Sequence, residues 1–201
     1  MSKFSIVGAG GHTRTLIHIA RLNNIELDFI YDNVVNDLKE KILGIQVKLL
    51  TQLPIDAKVI ISKGTIADKV ELTEQFKKRI LIDNIIHPKA LIEAVQVGNS
   101  NQVSPMVYVS NTSSIGSHNV IYTGTVIEHE SSIGDFNIVT VNVSICGRVT
   151  IGNRCYFGAG SSILPNVSIC DDVIIGAGAV VTRDITEKGT YVGVPAKRLI
   201  L

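Results

Sequence analysis

The sequence has few cysteines, almost no net charge and no long apolar run. The cysteines, Cys146, Cys155 and Cys170, are odd in number and lack CxxC spacing, which argues against a disulfide framework and a zinc site. We expect them to act as small buried apolar residues. The net charge of +1, with acids and bases interspersed, indicates neither a nucleic-acid footprint nor a basic membrane patch.

The apolar segments are all short. None approaches the roughly 18 residues of a membrane span. The opening MSKFSIVGAGG breaks at glycines and is unlike a signal peptide, so we expect a cytoplasmic protein. At 201 residues and 45% hydrophobic content, the chain has enough material for one large domain or two small ones.

Residues 1–84 alternate strand-like and helix-like stretches. Strands are predicted over residues 4–7, 26–31 and 59–62, and helices over residues 13–22 and 66–78. A strand, a glycine turn, a helix and a second strand begin a doubly wound α/β unit. We therefore predict a Rossmann-like half domain over residues 1–84.

Residues 85–201 form a second predicted domain, in which an apolar residue occupies every sixth position from Val97 to Val181. The fifteen positions are all Val, Ile or Phe: Val97, Val103, Val109, Ile115, Ile121, Ile127, Ile133, Val139, Ile145, Ile151, Phe157, Ile163, Ile169, Ile175 and Val181. A hexapeptide period indicates a parallel β-helix, in which three units close one coil. The spacing predicts about five coils, stacked about 4.8 Å apart, so that residues 18 apart lie one above the other. Glycines that follow core positions, such as Gly98 and Gly116, suit tight corners.

The glycine turn IVGAGGHT follows the first predicted strand. Gly8, Gly10 and Gly11 would aim backbone N–H groups at a phosphate, and Asp32, about twenty residues on, could accept hydroxyls or a base edge. Thr13 stands where a dinucleotide motif has its third glycine, which favours a nucleotide-linked sugar over NAD. A tight turn without any ligand is the alternative.

The segment TVIEHESSIG places a histidine between two carboxylates. His129 lies two residues after a core position, and Gly147, 18 residues later, should occupy the equivalent corner of the next coil. A general base beside a free backbone N–H is what acyl transfer requires. Either Glu128 or Glu130 could orient the imidazole. A solvated surface histidine is the alternative, and it is the expectation for His118.

Several stretches together resemble a known family. They are the GAGGH turn, the D-N pair after the second strand, IIHPKA, VIEHE, LPNVSICDDVIIGAGAVV and GVPAKRL. They are similar to the bacterial sugar acetyltransferases of the left-handed β-helix superfamily. Members of this family N-acetylate nucleotide-linked 4-amino sugars, as in bacillosamine synthesis, and sialic acid O-acetyltransferases are relatives. The left-handed coil and acetyl-CoA as the co-substrate are implied by this resemblance, and no metal is expected.

The resemblance also implies roles for individual residues. It makes His129 the general base, Glu130 the residue that orients it, and the Gly147 N–H the donor to the thioester oxygen. The residues it assigns to the nucleotide sugar are Gly10, Gly11, His12, Asp32 and Asn33. Besides Gly147, those it assigns to acetyl-CoA are Ala159, Ala177, Lys197 and Arg198, although the last two could be a solvated pair.

The family is trimeric, with each active site between two subunits. We expect a homotrimer here, in which apolar flank residues Val107, Val143 and Val149 have surface to bury. Two positions depart from the family pattern, since Ile138 replaces a second histidine and Tyr122 replaces an asparagine. These departures put the identity of the acceptor in doubt.

The sequence therefore favours an acetyl-CoA-dependent N-acetyltransferase for a nucleotide-linked amino sugar in surface glycan synthesis. O-acetylation of sialic acid or another sugar hydroxyl is an alternative within the same chemistry. A zinc lyase of the carbonic anhydrase type needs three metal histidines, and the repeats from Val97 onward offer only His118 and His129. A non-catalytic solenoid is a fourth reading.

Overall fold

The computed structural model describes residues 3–35, 37, 40–81 and 83–200. The chain divides into two compact units, Met1–Ile85 and Ile86–Leu201. Within the described residues, neither helix has the length and apolar character that crossing a bilayer requires.

Unit 1 is a small α/β arrangement. Its elements are β1 (Phe4–Val7), α1 (Gly11–Leu22), β2 (Leu27–Asp32), β3 (Lys41–Ile42), β4 (Ile45–Leu49), a 3-10 turn (Leu50–Gln52), β5 (Lys58–Ile61) and α2 (Ile66–Phe76). The strand order is β3-β4-β2-β1-β5. β1 pairs in parallel with both β2 and β5, and β2 pairs in parallel with β4. The direction of winding therefore changes between β1 and β5, where α/β proteins commonly bind ligands.

Unit 2 is a parallel β-helix made of very short strands. Three ladders of six, five and eight strands form its sides. The strands from Ile85 to Ile133 are β6 (Ile85–Ile86), β7 (Leu91–Ile92), β8 (Gln96–Val97), β9 (Gln102–Val103), β10 (Tyr108–Val109), β11 (Ser114–Ile115), β12 (Val120–Ile121), β13 (Val126–Ile127) and β14 (Ser132–Ile133).

The strands of the remaining chain continue this pattern. They are β15 (Ile138–Val139), β16 (Ser144–Ile145), β17 (Thr150–Ile151), β18 (Tyr156–Phe157), β19 (Ser162–Ile163), β20 (Ser168–Ile169), β21 (Val173–Ile175), β22 (Val180–Val181), β23 (Gly189–Val192) and β24 (Lys197–Arg198). From β8 to β22 the ladder partners lie 18 residues apart, as in Val109↔Ile127 and Ile127↔Ile145. At the two ends the spacing differs, since β7 pairs with β10 at 17 residues and β21 with β23 at 16. The ladders begin at β6, before the first position at which the sequence shows its repeat.

The repeated apolar positions form the core of the β-helix. All fifteen except the half-buried Val97 are buried in one continuous cluster. Val107, Val143 and Val149 belong to the same cluster, each no more than 1% exposed. The expectation that these three valines face a neighbouring subunit is therefore wrong, because their side chains fill the corners of the coil from within.

The corners depend on two kinds of residue. Positive φ angles occur at non-glycine corner residues such as Glu130 (58°) and Arg148 (62°). Gly134, in contrast, is required by close packing, since a Cβ there would lie 2.6 Å from the carbonyl oxygen of Gly152 in the next coil. Glycines such as Gly134 thus allow adjacent coils to pack closely, whereas the corner residues with positive φ make the turn.

Buried asparagines hold one corner together. Asn119 Oδ1 accepts the N–H of Asn137 at 2.7 Å, and Asn137 Oδ1 accepts the N–H of Cys155 at 2.7 Å. The Asn137 amide also donates to the carbonyl oxygen of Gly152. Such a ladder satisfies backbone groups that a corner would otherwise bury without partners. Cys155 ends the ladder as a buried thiol, and burial raises its pKa to about 11.

Candidate functional site

His129 lies at the corner between β13 and β14. The buried side chain of Ile127 anchors the chain before the corner, and Glu130, at positive φ, turns it. The imidazole is 53% exposed. The corner thus exposes the His129 imidazole at the surface, on a backbone anchored by Ile127 before it and turned by Glu130 after it.

Gly147 lies directly under the imidazole of His129. A methyl group added at its Cα would lie 2.5 Å from both Nε2 and Cε1 of the ring. The backbone of the next coil is tied to the same corner, since the N–H of Arg148 donates to the carbonyl oxygen of His129 at 2.8 Å. Among the described residues, the amide N–H of Gly147 has no acceptor. Only glycine allows the imidazole this position, and the structure brings together the two residues that the repeat spacing predicted to stack.

Glu130 is the carboxylate beside the imidazole. Its Oε2 lies 3.8 Å from Nδ1 of His129. The same oxygen accepts a short hydrogen bond from Nε of Arg148, and this bond, with the Arg148 charge, holds the pKa of Glu130 below its ordinary value. Glu128 makes no ion pair with His129 among the described residues. The geometry therefore associates Glu130 with the imidazole, and it adds Arg148, which the sequence reading missed.

Serine side chains inside the coil hold the His129 corner in position between the adjacent coils. Ser131 Oγ donates to the carbonyl oxygen of Cys146 at 3.0 Å and accepts the N–H of Val149 at 3.2 Å. Ser113 Oγ donates in the same way to the carbonyl oxygen of Glu128 at 2.7 Å. These bonds connect the coil carrying His129 to the coils on either side. The serine spacing of 18 residues, Ser113 to Ser131, was a signal for them in the sequence.

The two positions that depart from the family pattern lie on the ladder that contains β12 and β15. Ile138 is buried and pairs with Val120 and Tyr156. Tyr122 follows β12 and is partly buried. Burial is the larger cause, and the nearby Tyr156 the smaller one, that raises the pKa of its hydroxyl group. Neither side chain supplies a charge or a base at neutral pH.

The expectation of a solvated His118 is wrong. Its ring is half-buried and stacks on Phe136, with centroids 4.6 Å apart and an angle of 13° between the planes. Its Nδ1 atom is buried. His118 thus has a structural explanation.

Ala159 and Ala177 are brought together, but at a different corner from His129. Both are exposed, and the N–H of Gly178 donates to the carbonyl oxygen of Ala159 at 2.8 Å, which stacks the two alanines in successive coils. Their corner joins β18 to β19 and β21 to β22, whereas His129 lies between β13 and β14. One side of the β-helix therefore separates them from His129 within a single chain.

Lys197 and Arg198 form the exposed strand β24, which pairs antiparallel with β23. Arg198 donates to Glu187 Oε2 at 2.6 Å and to the carbonyl oxygen of Lys188 at 3.2 Å. The guanidinium is thus held by this chain's own acceptors. A phosphate would have to compete with Glu187 for it.

The glycine turn of unit 1 lies at the carboxyl end of β1. Gly8 has a φ of 120°, and a Cβ there would overlap the carbonyl oxygen of Ser62 at 1.9 Å. Thr13 Oγ1 donates to the carbonyl oxygen of Gly8 at 2.8 Å and lies 3.0 Å from Ser62 Oγ. The Thr13 side chain therefore stabilises the turn through hydrogen bonds. It does not take the role of the third glycine of a dinucleotide motif. α1 begins at Gly11, with Gly10 as its N-cap and no side-chain cap.

Asp32 lies at the end of β2 beside this turn. Its Oδ2 accepts the N–H of Ala9 at 2.6 Å and its Oδ1 the N–H of Asn33 at 2.7 Å. The ammonium of Lys63 lies 3.1 Å from Oδ2. Partial burial raises the pKa of Asp32, but these bonds and the Lys63 charge outweigh burial and leave the pKa lowered. The carboxylate is thus bound within the chain, and Lys63 is a second residue that the sequence reading missed.

Lys63 could have been found from its position. It follows β5 at the carboxyl end of the sheet, the same edge to which the glycine turn and Asp32 belong. Its Cδ would lie 3.4 Å from a Cβ at Gly8, so its stem crosses the turn. His12 lies in the first turn of α1, and Asn33 follows Asp32, so all five predicted sugar-nucleotide residues lie at this edge.

The described residues contain no group of three His, Cys, Asp or Glu side chains that could hold a metal ion. Cys155 is buried, whereas Cys146 and Cys170 are only partly buried. All three thiols are free.

Residues 148–183 match the family described as bacterial transferase hexapeptide (six repeats). No curated protein matches. The structure is similar to a histidine-to-asparagine mutant of perosamine N-acetyltransferase from Caulobacter crescentus, in complex with CoA and GDP-perosamine. The identity is 27%, the TM-score is 0.90, and the similarity covers 99% of this chain and 97% of that chain.

Two further structures show the same fold at lower identity. The acetyltransferase domain of PglB from Neisseria gonorrhoeae is 22% identical, with a TM-score of 0.87 and coverage of 99% of this chain and 100% of that chain. WeeI from Acinetobacter baumannii AYE is 21% identical, with a TM-score of 0.88 and the same coverage. The resemblance to β-helix sugar acetyltransferases drawn from the sequence is confirmed.

Proposed function

We propose that this chain, whose β-helix carries bacterial transferase hexapeptide repeats, is an acetyl-CoA-dependent N-acetyltransferase for a nucleotide-linked amino sugar. The observation that carries the proposal is the imidazole of His129 lying over Gly147. The similar Caulobacter enzyme, solved with CoA and GDP-perosamine, supports both the acyl transfer and the class of acceptor.

The corner at His129 provides the groups that direct transfer requires. The imidazole accepts a proton from the sugar amine as the amine nitrogen attacks the thioester carbonyl carbon. The Gly147 N–H stabilises the oxyanion that forms. When the carbon–sulfur bond breaks, the oxyanion collapses to the amide, and the CoA sulfur takes the proton from the imidazolium. Glu130 orients the imidazole through Nδ1.

Residues 1–84 supply the nucleotide-sugar site in this proposal, and residues 85–201 supply the transferase site. Gly10 and Gly11 are exposed at the start of α1, and the backbone N–H groups of such a helix N-terminus suit a diphosphate. His12, Asp32 and Asn33 line the same edge. The acetyl-CoA groove takes in Ala159 and Ala177, and Lys197 and Arg198 contribute charge near its end. A homotrimer, with each site completed by a neighbouring subunit, would bring the separated corners together.

Lys63 adds a positive charge to the nucleotide site. Its ammonium lies beside the glycine turn, so we expect Lys63→Gln to raise KM for the nucleotide-linked sugar about tenfold, since a hydrogen bond to a charged group is worth roughly 1.5–3 kcal/mol. KM for acetyl-CoA should stay the same. Steady-state kinetics with each substrate varied in turn measures both.

Lys58→Gln is the matched control for this change. Lys58 begins β5, at the opposite end of the strand that Lys63 follows. It should leave both KM values at the wild-type level. Equal values of KM for the sugar in Lys63→Gln and the wild type would remove Lys63 from the site.

Release of free CoA is the direct test of the proposed function. The purified protein should release CoA from acetyl-CoA only when a nucleotide-linked amino sugar is present.

A thermal-shift panel of nucleotide sugars would identify the acceptor, because a ligand that binds the folded state raises its apparent stability. Failure to bind acetyl-CoA by calorimetry would favour a non-catalytic solenoid. An acetylated product that mild alkali cleaves would be an ester and would favour O-acetylation.

A further inference from the structure

Arg148 lies one coil beyond Glu130, at the equivalent position of the corner. Both residues have positive φ, 62° and 58°, so their side chains leave the corner in the same way. Nε of Arg148 donates to Oε2 of Glu130. This is the same oxygen that lies 3.8 Å from Nδ1 of His129.

Glu130 has little else to hold its side chain in place. Its side chain is 53% exposed. Among the described residues, the backbone of Glu130 makes one hydrogen bond, which its N–H donates to Thr112 Oγ1. An exposed glutamate without a partner samples several rotamers. The contact with Arg148 selects the rotamer that keeps the carboxylate beside the imidazole.

We propose that Arg148 is a positioning residue for the acyl transfer, which acts by holding the Glu130 carboxylate at Nδ1 of His129. The inference rests on the proposed function, in which His129 is the base. Arg148 does not take part in the proton transfer itself, because a guanidinium stays protonated at neutral pH and its Nε donates to Glu130. Its positive charge also keeps Glu130 ionised, consistent with the lowered pKa of this carboxylate.

A double-mutant cycle tests the proposal. Arg148→Gln should lower kcat about fivefold, a modest loss of the size expected when one exposed positioning contact is removed. KM for both substrates should stay within about twofold. In the Glu130→Gln background, the same change should lower kcat less than about twofold, because the carboxylate that it positions is already absent. Arg148→Lys, which keeps a charged donor, should restore part of the lost kcat.

Arg154→Gln is the matched control. Arg154 is also an arginine at positive φ, 56°, and its guanidinium binds Asp171 and Asp172 at another corner of the β-helix. It should leave kcat unchanged. Its thermal unfolding curve shows what the loss of an exposed arginine at a corner does to stability alone.

Two kinetic results would overturn the proposal. A fivefold loss in both backgrounds would mean that Arg148 acts independently of Glu130. A raised KM for acetyl-CoA with unchanged kcat would make Arg148 a cofactor contact. Both are read only if the wild type is active, so they are distinct from failure of the proposed function.

An NMR measurement covers the case of an inactive wild type. The imidazole nitrogen spectrum of His129, assigned with His129→Ala, reports which ring nitrogen carries the proton. Arg148→Gln and Glu130→Gln should shift this tautomer ratio in the same direction, and Arg154→Gln should not. Identical spectra in all four proteins would overturn the positioning role without any assay of activity.

Discussion

Replacing His129 with alanine is expected to lower kcat by at least about two orders of magnitude, in the range typical of a general base, about 10²–10⁴. The physical reason is that the other titratable side chains of this corner, Glu128 and Glu130, are carboxylates, which are weaker bases than imidazole. Glu130 is also held by Arg148. KM for acetyl-CoA should change little. Coupled detection of free CoA, with the nucleotide-linked amino sugar saturating, gives the value.

His129→Gln and His118→Ala complete this experiment. Glutamine fills a similar volume but cannot take the proton, so it should be as inactive as alanine. His118 is another histidine of the β-helix, and its ring stacks on Phe136 away from the β13–β14 corner. Its replacement should leave kcat near the wild-type value. Near-normal turnover by either His129 variant would remove the base from the mechanism.

Replacing Gly147 with alanine is expected to lower kcat at least about 10²-fold, because alanine keeps the backbone N–H but displaces the general base, whose contribution is typically about 10²–10⁴. The new methyl group would lie 2.5 Å from the imidazole nitrogen Nε2, so the ring must leave its place over the backbone. The ring is half exposed and has room to move outward. The fold should therefore survive, and the unfolding temperature should fall by no more than a few degrees.

Gly134→Ala provides the contrasting control. Its new methyl group would lie 2.6 Å from the carbonyl oxygen of Gly152, a backbone atom that cannot move without separating two coils. This variant should lose substantial stability, measured by thermal unfolding, because overpacking commonly costs about 1–3 kcal/mol. A Gly147→Ala protein that is both fully active and fully stable would contradict the position of the imidazole.

The β-helix could be predicted from the sequence because its period is exact. An apolar residue recurs every six positions without a slip, and each of these positions except Val97 is buried. The stacking of His129 on Gly147 followed from the same arithmetic, because a fixed coil length converts a separation of 18 residues into contact. Periodicity thus located the candidate site as well as the fold.

Other features were beyond the reach of periodicity. The pattern does not distinguish an inner corner residue from an outer one, so Val107, Val143 and Val149 were misread as surface. The choice between Glu128 and Glu130 depends on which residue adopts positive φ, and so does the direction of Arg148. In unit 1, the pairing of Asp32 with Lys63 depends on the order of β1, β2 and β5 in the sheet, which the spacing of elements leaves open.

Several assignments stay predictions: the roles of individual site residues, the domain roles, the homotrimer, the left-handed coil and the cytoplasmic location.

The proposed N-acetyl transfer is tested most directly by following an isotope-labelled acetyl group. The protein is incubated with labelled acetyl-CoA and a nucleotide-linked amino sugar, and mass spectrometry locates the label. We expect the label on the sugar amine, as an amide that resists mild alkali, with one CoA released for each amide. His129→Ala should form almost none. Labelled product formed equally well by His129→Ala, or no labelled sugar across a panel of nucleotide-linked amino sugars, would contradict the proposed transfer.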